Sequence, residues 1–174
     1  HALVPGQPIV ADQLDEAREF AKAAARLNPD VSLPWKILLQ IDTKTENPQI
    51  DKTITKALDT CIPDADLMKL IAPHLIPLND EKITKLFVRT VEGMEDGLDL
   101  PLTKEIPEIP STLDLRLKML KKQAPNDPEA CSRLIHTIIE ESDIFEAPKY
   151  IKTLPLNNPD RLYVETLLGD NPLE

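Results

Sequence analysis

Cys131 and His136 are the pair of residues whose types most resemble a catalytic site. A thiolate beside an imidazole is a nucleophile with its general base. Both residues fall in one predicted helix, where five positions at about 100° each place the two side chains about 140° apart around the axis. Because they cannot face each other within that helix, we interpret Cys131 as a core residue. The sequence offers no other catalytic pair, and we predict that the protein is not an enzyme.

Metal-binding residues are also few. His74 lies in a proline-rich stretch that is typical of a loop. Glu92, Glu95, Asp96 and Asp99 are close in sequence but lack the alternating register and central Gly of a calcium loop. We interpret these acids as a hydrated linker, and we predict neither a metal nor a cofactor.

A second kind of chemistry is recognition of another protein. Trp35, the one Trp of the chain, is either a packing residue or, if exposed, an anchor for a partner. Glu140 and Glu141 collect near a predicted helix C-terminus, where the helix dipole disfavours negative charge. They form either a solvated face or an acidic contact for a basic partner. The candidate partner-binding residues are Trp35, Lys36, Gln40, His136, Glu140 and Glu141.

The charge of the chain limits the class of partner. Thirty acidic residues against 20 Lys and Arg give a formal net charge of −10. Nucleic acid and anionic membranes both require clustered positive charge, so neither is expected. We predict a protein or peptide partner of basic or mixed charge.

The compartment follows from features that the sequence lacks. No apolar run approaches the roughly 18 residues that span a bilayer, and residues 1 to 11 do not have the pattern of a signal peptide. Two Cys do not make a disulfide framework, which favours an intracellular and most simply a cytoplasmic protein. The start at His1 without Met and the final Leu173-Glu174 indicate a fragment of a longer protein.

The elements that position these residues are predicted to be helices. Hydrophobic residues make up 41% of the chain but aromatic residues only 3%, so Leu, Ile, Val and Ala must build the core, which suits helices better than sheets. Apolar periodicity and capping residues predict about eight to nine short helices. They fall at 12–28, 33–42, from Asn47-Pro48 to Cys61, 64–72, 80–92 between an Asn79 cap and Gly93, from Ser111, from Asp127-Pro128, 144–153, and from Asn158-Pro159 to Gly169.

The prolines support many separate helix starts. An Asn or Asp precedes each of Pro48, Pro128 and Pro159. This is the arrangement of an N-cap and a first helical position, where the missing N–H costs nothing. In the helix that begins at Ser111, the inward stripe is predicted to be Leu113, Leu117 and Leu120.

The chain divides into four predicted regions. They are a leading arm at 1–11, an N-terminal helical lobe at 12–93, an acidic proline-containing linker at 94–111 and a C-terminal helical lobe at 112–174. Prolines recur at 101, 107 and 110, so no long helix fits between 94 and 110. This segment is a linker, or it docks in a groove of its own chain or of a partner.

Two stretches resemble tetratricopeptide repeats. The match in the C-terminal lobe is carried by Cys131, Leu134, Ile135, Ile138, Ala147, Ile151, Leu154 and Pro159. Near the N-terminus, Ala17, Ala21, Ala24 and Pro29 match the second helix of a unit, and Trp35, Leu38 and Leu39 match the next. Leu39 and Ile135 replace the family's Gly, Asp42 and Ile138 occupy its Tyr position, and residues 44–111 do not hold the register. The resemblance implies a right-handed array of antiparallel helix hairpins, an α-solenoid whose groove binds peptides.

The predicted function is therefore a non-catalytic scaffold module for protein–protein interaction. The family's clamp for a terminal carboxylate is not predicted, because Gln40 stands where it uses Asn, although Lys36 matches. Two alternatives remain open. One is a helical domain that encloses a small apolar ligand between its lobes, with the proline-rich segment as a lid. The other is an accessory domain of an enzyme whose catalytic part lies outside this sequence.

Overall fold

The structure is a computed structural model that describes residues 11–100, 104–152 and 154–168. All regular elements in these ranges are helical, which confirms the all-α class. The leading arm predicted at 1–11, apart from Ala11, and the predicted Gly169 stop lie outside the described residues. The α-helices are α1 (Ala11–Leu27), α2 (Leu33–Lys44), α3 (Ile50–Thr60), α4 (Ala65–Ile71), α5 (Leu75–Leu78), α6 (Glu81–Gly93), α7 (Leu113–Gln123), α8 (Pro128–Glu141), α9 (Pro148–Ile151) and α10 (Pro159–Leu167).

The described residues form two compact units. The N-terminal unit comprises residues 11–94 and 105–107, and the C-terminal unit comprises 95–100, 104 and 108–168. In the N-terminal unit α1 packs on α2, α2 contacts α3 and α4, and α3 contacts α6. Apolar residues at helical spacing are buried between these helices. They include Leu39, Ile54, Leu67, Ile71, Phe87 and Val91.

The C-terminal unit is built on α8. This helix packs against α7, α9 and α10. Cys131 and Ala147 are buried in the same apolar cluster as Leu134, Ile135 and Ile138. The interpretation of Cys131 as a core residue is confirmed.

The stripe predicted for α7 is partly wrong. Leu120 is buried, but Leu113 and Leu117 are only half-buried, and the helix turns Leu115 and Met119 inward instead. Arg116 is buried beside them. Because Arg116 occupies an inward position, the buried residues of α7 do not follow the spacing from which the stripe was predicted.

Two of the three predicted Asn/Asp-Pro starts are confirmed. Asp127 accepts a hydrogen bond from the Glu129 N–H at 3.0 Å, and Pro128 is the first residue of α8. Asn158 accepts from the N–H groups of Asp160 and Arg161 at 2.9 and 3.2 Å at the start of α10. These caps satisfy N–H groups that have no partner inside the helix.

The third predicted start, Asn47-Pro48, is wrong. Helix α3 begins at Ile50, two residues later than the pattern requires. Asn47 accepts from the Gln49 N–H at 3.0 Å, while its amide nitrogen donates to Asp42 Oδ1, also at 3.0 Å. Asn47 Oδ1 makes the same bond that Asp127 makes at α8, but residues 48 and 49 form a turn before α3, and the Ile50 N–H donates to the Asn47 carbonyl at 3.2 Å.

The Asn79 cap is also corrected. Asn79 adopts a left-handed conformation with φ 47° and ends α5, and Asp80 caps α6 by accepting from the N–H groups of Lys82 and Ile83. Asn tolerates this backbone region better than most residues. Because of the prolines near it, the four-residue helix α5 was not predicted. Its presence requires one residue to end α5 and another to cap α6. The four predicted helices at 12–28, 33–42, 64–72 and 80–92 otherwise lie within two residues of α1, α2, α4 and α6.

Two further boundaries in the C-terminal unit differ from prediction. Thr112, and not Ser111, precedes α7, and its hydroxyl donates to the Ile109 carbonyl instead of capping the helix. The helix predicted at 144–153 is a 3₁₀ turn followed by α9, because Pro148 lacks the N–H that a continuous helix would use.

The described part of the predicted linker at 94–111 contains packed residues. In the C-terminal unit, the Gln123 side chain donates to the carbonyls of Leu98 and Leu100 at 3.1 and 3.2 Å. Asp99 pairs with Lys122 at 2.9 Å. Asp99 is therefore an ion-pair partner as well as a hydrated acid.

Candidate functional site

The structure separates Cys131 from His136. Cys131 is buried, with its sulfur 3.5 Å from the Tyr150 carbonyl, whereas the His136 side chain is exposed. His136 Nε2 lies 2.7 Å from Asp160 Oδ1. The thiol and the imidazole point to different surroundings, as the helical spacing predicts.

Ser132, Asp160 and His136 come together, but in an order that does not give a catalytic triad. Ser132 donates to one oxygen of Asp160, and His136 pairs with the other. In an acyl-transfer triad the His stands between the Ser and the acid, where it takes the hydroxyl proton. Here the carboxylate stands between them. The arrangement links α8 to α10, and the Ser132 hydroxyl donates to the carboxylate instead of to the imidazole.

Glu141 belongs to an internal ion pair of the C-terminal unit. Arg116, 2% exposed, holds it through contacts of 2.5 Å (Nη1 to Oε2) and 3.1 Å (Nη2 to Oε1). The same guanidinium donates to the Ile109 carbonyl at 2.9 Å and to Thr112 Oγ1 at 3.0 Å. Hydrogen bonds from Arg116 hold the pKa of Glu141 below its ordinary value. Both candidate acids are exposed, but Glu141 is held by the buried Arg116.

Lys36 is likewise engaged inside the N-terminal unit. Its Nζ lies 2.8 Å from Asp64 Oδ2, which also accepts from Ser32 at 2.6 Å, while Asp64 Oδ1 caps α4 through the Leu67 N–H. Burial would raise the pKa of Asp64, but these hydrogen bonds outweigh burial and lower it. Gln40 is exposed and lines a pocket of about 300 Å³ together with Lys36.

A first concave surface lies between α1 and α2, and we call it the apolar groove. Its volume is about 580 Å³. Phe20 lines it and is 66% exposed, and Leu33 faces it across from α1. Small side chains at Ala17 and Ala24 leave the space between the two helices unfilled. The remaining apolar lining residues include Leu14, Ala21, Pro34, Ile37 and Ile41.

A second concave surface, the basic cleft, lies where α1, α2 and α3 meet. Its volume is about 730 Å³. Five cationic side chains line it, together with one carboxylate. The cations are Arg18, Lys22 and Arg26 from α1 and Lys52 and Lys56 from α3, and the carboxylate is Asp42.

Trp35 forms part of the wall of the basic cleft. The side chain is buried at 8% exposure, so of its two predicted roles the packing role is confirmed. Its indole Nε1 is buried and has no hydrogen-bond partner among the described residues. Buried polar groups nearly always have such a partner.

Asp42 is a buried residue whose role the sequence did not reveal. It is 2% exposed and accepts from Arg18 at 3.3 Å, Asn47 at 3.0 Å and Thr53 at 2.6 Å. These donors come from α1, the α2–α3 connection and α3. The sequence did contain one signal. Asp42 follows Leu39 by three positions and Leu38 by four, so a charged residue stands where the apolar stripe of α2 would continue.

Within the described ranges, no helix has both the length and the apolar character needed to cross a membrane. The same ranges contain no group of three or more His, Cys, Asp or Glu side chains that could hold a metal ion. Comparison with models of known protein families, with curated proteins and with solved structures finds no match for this chain.

Proposed function

We propose that the protein is a non-catalytic helical module that binds a segment of another protein, with the apolar groove of the N-terminal unit as the contact surface. The occupant is an amphipathic segment whose apolar side chains enter the groove and whose remaining side chains carry basic or mixed charge. The module serves as a scaffold within a larger intracellular protein.

The exposed Phe20 beside an open groove is the observation that carries this proposal. A Phe that is 66% exposed, next to Leu33 and unfilled space, presents apolar surface to water at a thermodynamic cost. Apolar grooves between helices are a recurrent mode of binding an amphipathic helix. Covering Phe20 and Leu33 with partner side chains would recover roughly 1.5–3 kcal/mol for each fully buried side chain.

The charge around the groove supports a partner of basic or mixed charge. Asp12, Asp15 and Glu19 are exposed on the first turns of α1, and Glu16 lines the groove itself. Lys44 lines the groove as well, so the surface is not uniformly acidic. Basic residues flanking the apolar stripe of a partner would meet this end of α1 favourably.

The fold that we propose for the module is a degenerate α-solenoid of the tetratricopeptide type. Its support is the packing of consecutive helices within the N-terminal unit, where α2 contacts both α3 and α4. In the C-terminal unit, Cys131, Ala147, Ile151 and Leu154 occupy one core, as the repeat positions require. Stacked repeats bury their faces against their neighbours and leave an extended surface for partners.

Binding of a designed peptide tests the function. The probe is a fluorescein-labelled amphipathic helix with Leu at the inner positions and Lys outside, measured by anisotropy. We expect Phe20→Asp to weaken binding at least about tenfold, because a charge replaces the apolar contact at the centre of the groove. Phe145→Asp is the matched control, since Phe145 is exposed at 74% and does not line the groove.

The outcomes separate the proposal from its alternatives. Equal weakening by Phe20→Asp and Phe145→Asp, or no binding at all, would count against the groove. Displacement of the peptide by a long-chain fatty acid would support a module for small apolar ligands instead. Far-ultraviolet circular dichroism of both variants checks that the helices are retained.

A further inference from the structure

The basic cleft is unusual in a chain whose net charge is −10. Five of its lining side chains are cationic and one is anionic. The anion, Asp42, accepts hydrogen bonds from Arg18, Asn47 and Thr53. Local positive charge in an acidic protein attracts an anionic group to one place and repels it elsewhere.

Several of the cations form no ion pair with a residue that the structure describes. Lys22 pairs with Glu19 at 3.6 Å, and Arg18 contacts Asp15 and Asp42. Arg26, Lys52 and Lys56 are exposed, and none of them forms an ion pair with a described residue. A surface with three unpaired cations around a concavity favours a ligand that brings its own negative charge.

The spacing of the cations favours an extended ligand. Arg18, Lys22 and Arg26 follow one another at intervals of four residues along α1, and Lys52 and Lys56 do so along α3. Four residues advance an α-helix by about 6 Å. In an extended peptide, alternate side chains on one face are about 6.6 Å apart. Acidic residues at every second position would therefore meet successive cations.

Two further groups in the cleft fit a peptide. Gln49 and Thr60 line it and offer donors and acceptors to a peptide backbone. Nucleic acid would need an exposed aromatic face for base stacking, and Trp35 at 8% exposure does not provide one.

We infer that the basic cleft binds an extended acidic peptide segment, with carboxylates at alternate positions that pair with the cations of α1 and α3. This concerns a second surface of the N-terminal unit. The partner then carries mixed charge, with a basic amphipathic part for the apolar groove and an acidic part for the cleft. The two surfaces are tested with different probes, so either proposal can fail alone.

The test uses the intrinsic fluorescence of the single Trp, which lies in the cleft wall. The probe is a blocked octapeptide of alternating Glu and Ser, titrated into the full chain. We expect a saturable change in Trp35 emission that weakens as salt is raised. An isomeric peptide with its Glu residues in one block should bind more weakly, because its carboxylates do not match the cation spacing.

Matched charge reversals assign the binding to the cleft. Lys52→Glu/Lys56→Glu should raise the Kd for the alternating peptide at least about tenfold. Lys82→Glu/Lys149→Glu changes the net charge equally at exposed lysines outside the cleft and should change the Kd less than about twofold.

Three results would overturn the inference. They are the absence of a saturable change, equal weakening in the two double variants, and tighter binding of single-stranded DNA than of the peptide at the same salt concentration. The last would mark the cleft as a nucleic-acid site. Chemical denaturation of each variant, followed by circular dichroism, separates loss of binding from loss of fold.

Discussion

The N-terminal and C-terminal units each contain a charged residue that is 2% exposed, and the two residues have opposite signs. In the N-terminal unit, the carboxylate of Asp42 accepts from two neutral side chains and from Arg18 at 3.3 Å. In the C-terminal unit, Arg116 is held by both oxygens of Glu141, by a carbonyl and by a hydroxyl. One unit thus buries its acid among several weak donors, and the other buries its base in a forked ion pair.

The difference shows which groups in each unit compensate the free-energy cost of burying a charge. Asp42 depends on donors from three elements, so its loss would loosen the junction of α1, α2 and α3. Arg116 depends mainly on Glu141 at the end of α8. This contact joins α7 to α8. Charged groups that lose their partners inside a protein are strongly destabilising.

Arg116→Ala is expected to have the largest effect. It removes a buried guanidinium and leaves Glu141 and the Ile109 carbonyl without their donor, at a cost of about 3–5 kcal/mol. The measurement is the free energy of unfolding from urea denaturation. Tyrosine fluorescence reports the C-terminal unit, because both Tyr residues lie there. Lys149→Ala, an exposed change in the same unit, should stay within about 0.5 kcal/mol of the parent. An equally small effect of Arg116→Ala would show that the forked pair contributes little.

Asp42→Ala should have a smaller effect, confined first to the N-terminal unit. Loss of the carboxylate leaves Asn47 and Thr53 without this acceptor, which corresponds to about 2–3 kcal/mol, while Arg18 keeps its contacts with Thr45 and Asp15. Trp35 fluorescence during urea denaturation reports this unit.

Asp42→Asn sharpens the comparison by keeping the shape and removing the charge. One oxygen remains to accept hydrogen bonds, so its cost should be less than that of Asp42→Ala. If the two variants are equally unstable, the negative charge itself holds the junction.

The pH dependence of Glu141 is expected to be the smallest effect. The pKa of Glu141 is lower in the folded chain than in the unfolded chain because of Arg116. The unfolded state therefore binds the proton first as the pH falls. The stability that Glu141 contributes is complete above its ordinary pKa and is lost as the pH falls through the lowered value. Glu141→Gln should lower the free energy of unfolding at neutral pH, and its difference from the parent chain should shrink as the pH falls. A constant difference across the acid range would contradict the cause given for the shift.

The sequence predicted the helices well but not the buried charges. Periodic apolar residues and the Asp127 and Asn158 caps are local signals, and a short window of sequence contains all of them. Arg18 and Asp42 are 24 residues apart, and Arg116 and Glu141 are 25 apart, so neither pair is visible in such a window.

Both concave surfaces were missed for a related reason. The Ala residues of α1 were matched to the second helix of a repeat unit, and the structure shows that Ala17 and Ala24 line an open groove. The net negative charge of the whole chain gave no indication of five cations that α1 and α3 bring together. Of the six candidate partner residues, Lys36 and Glu141 are engaged in ion pairs within their units, and His136 contacts Asp160 at 2.7 Å. Only the packing of helices in three dimensions determines which side chains remain available.

One free cysteine lies in each unit, and both are buried. Burial also raises the pKa of the Cys61 thiol, so little of the reactive thiolate is present at neutral pH. An alkylating reagent should therefore reach Cys61 only while the N-terminal unit is transiently open, and Cys131 only while the C-terminal unit is open. The alkylation rates of the two thiols therefore report the opening of each unit separately, without any engineered label.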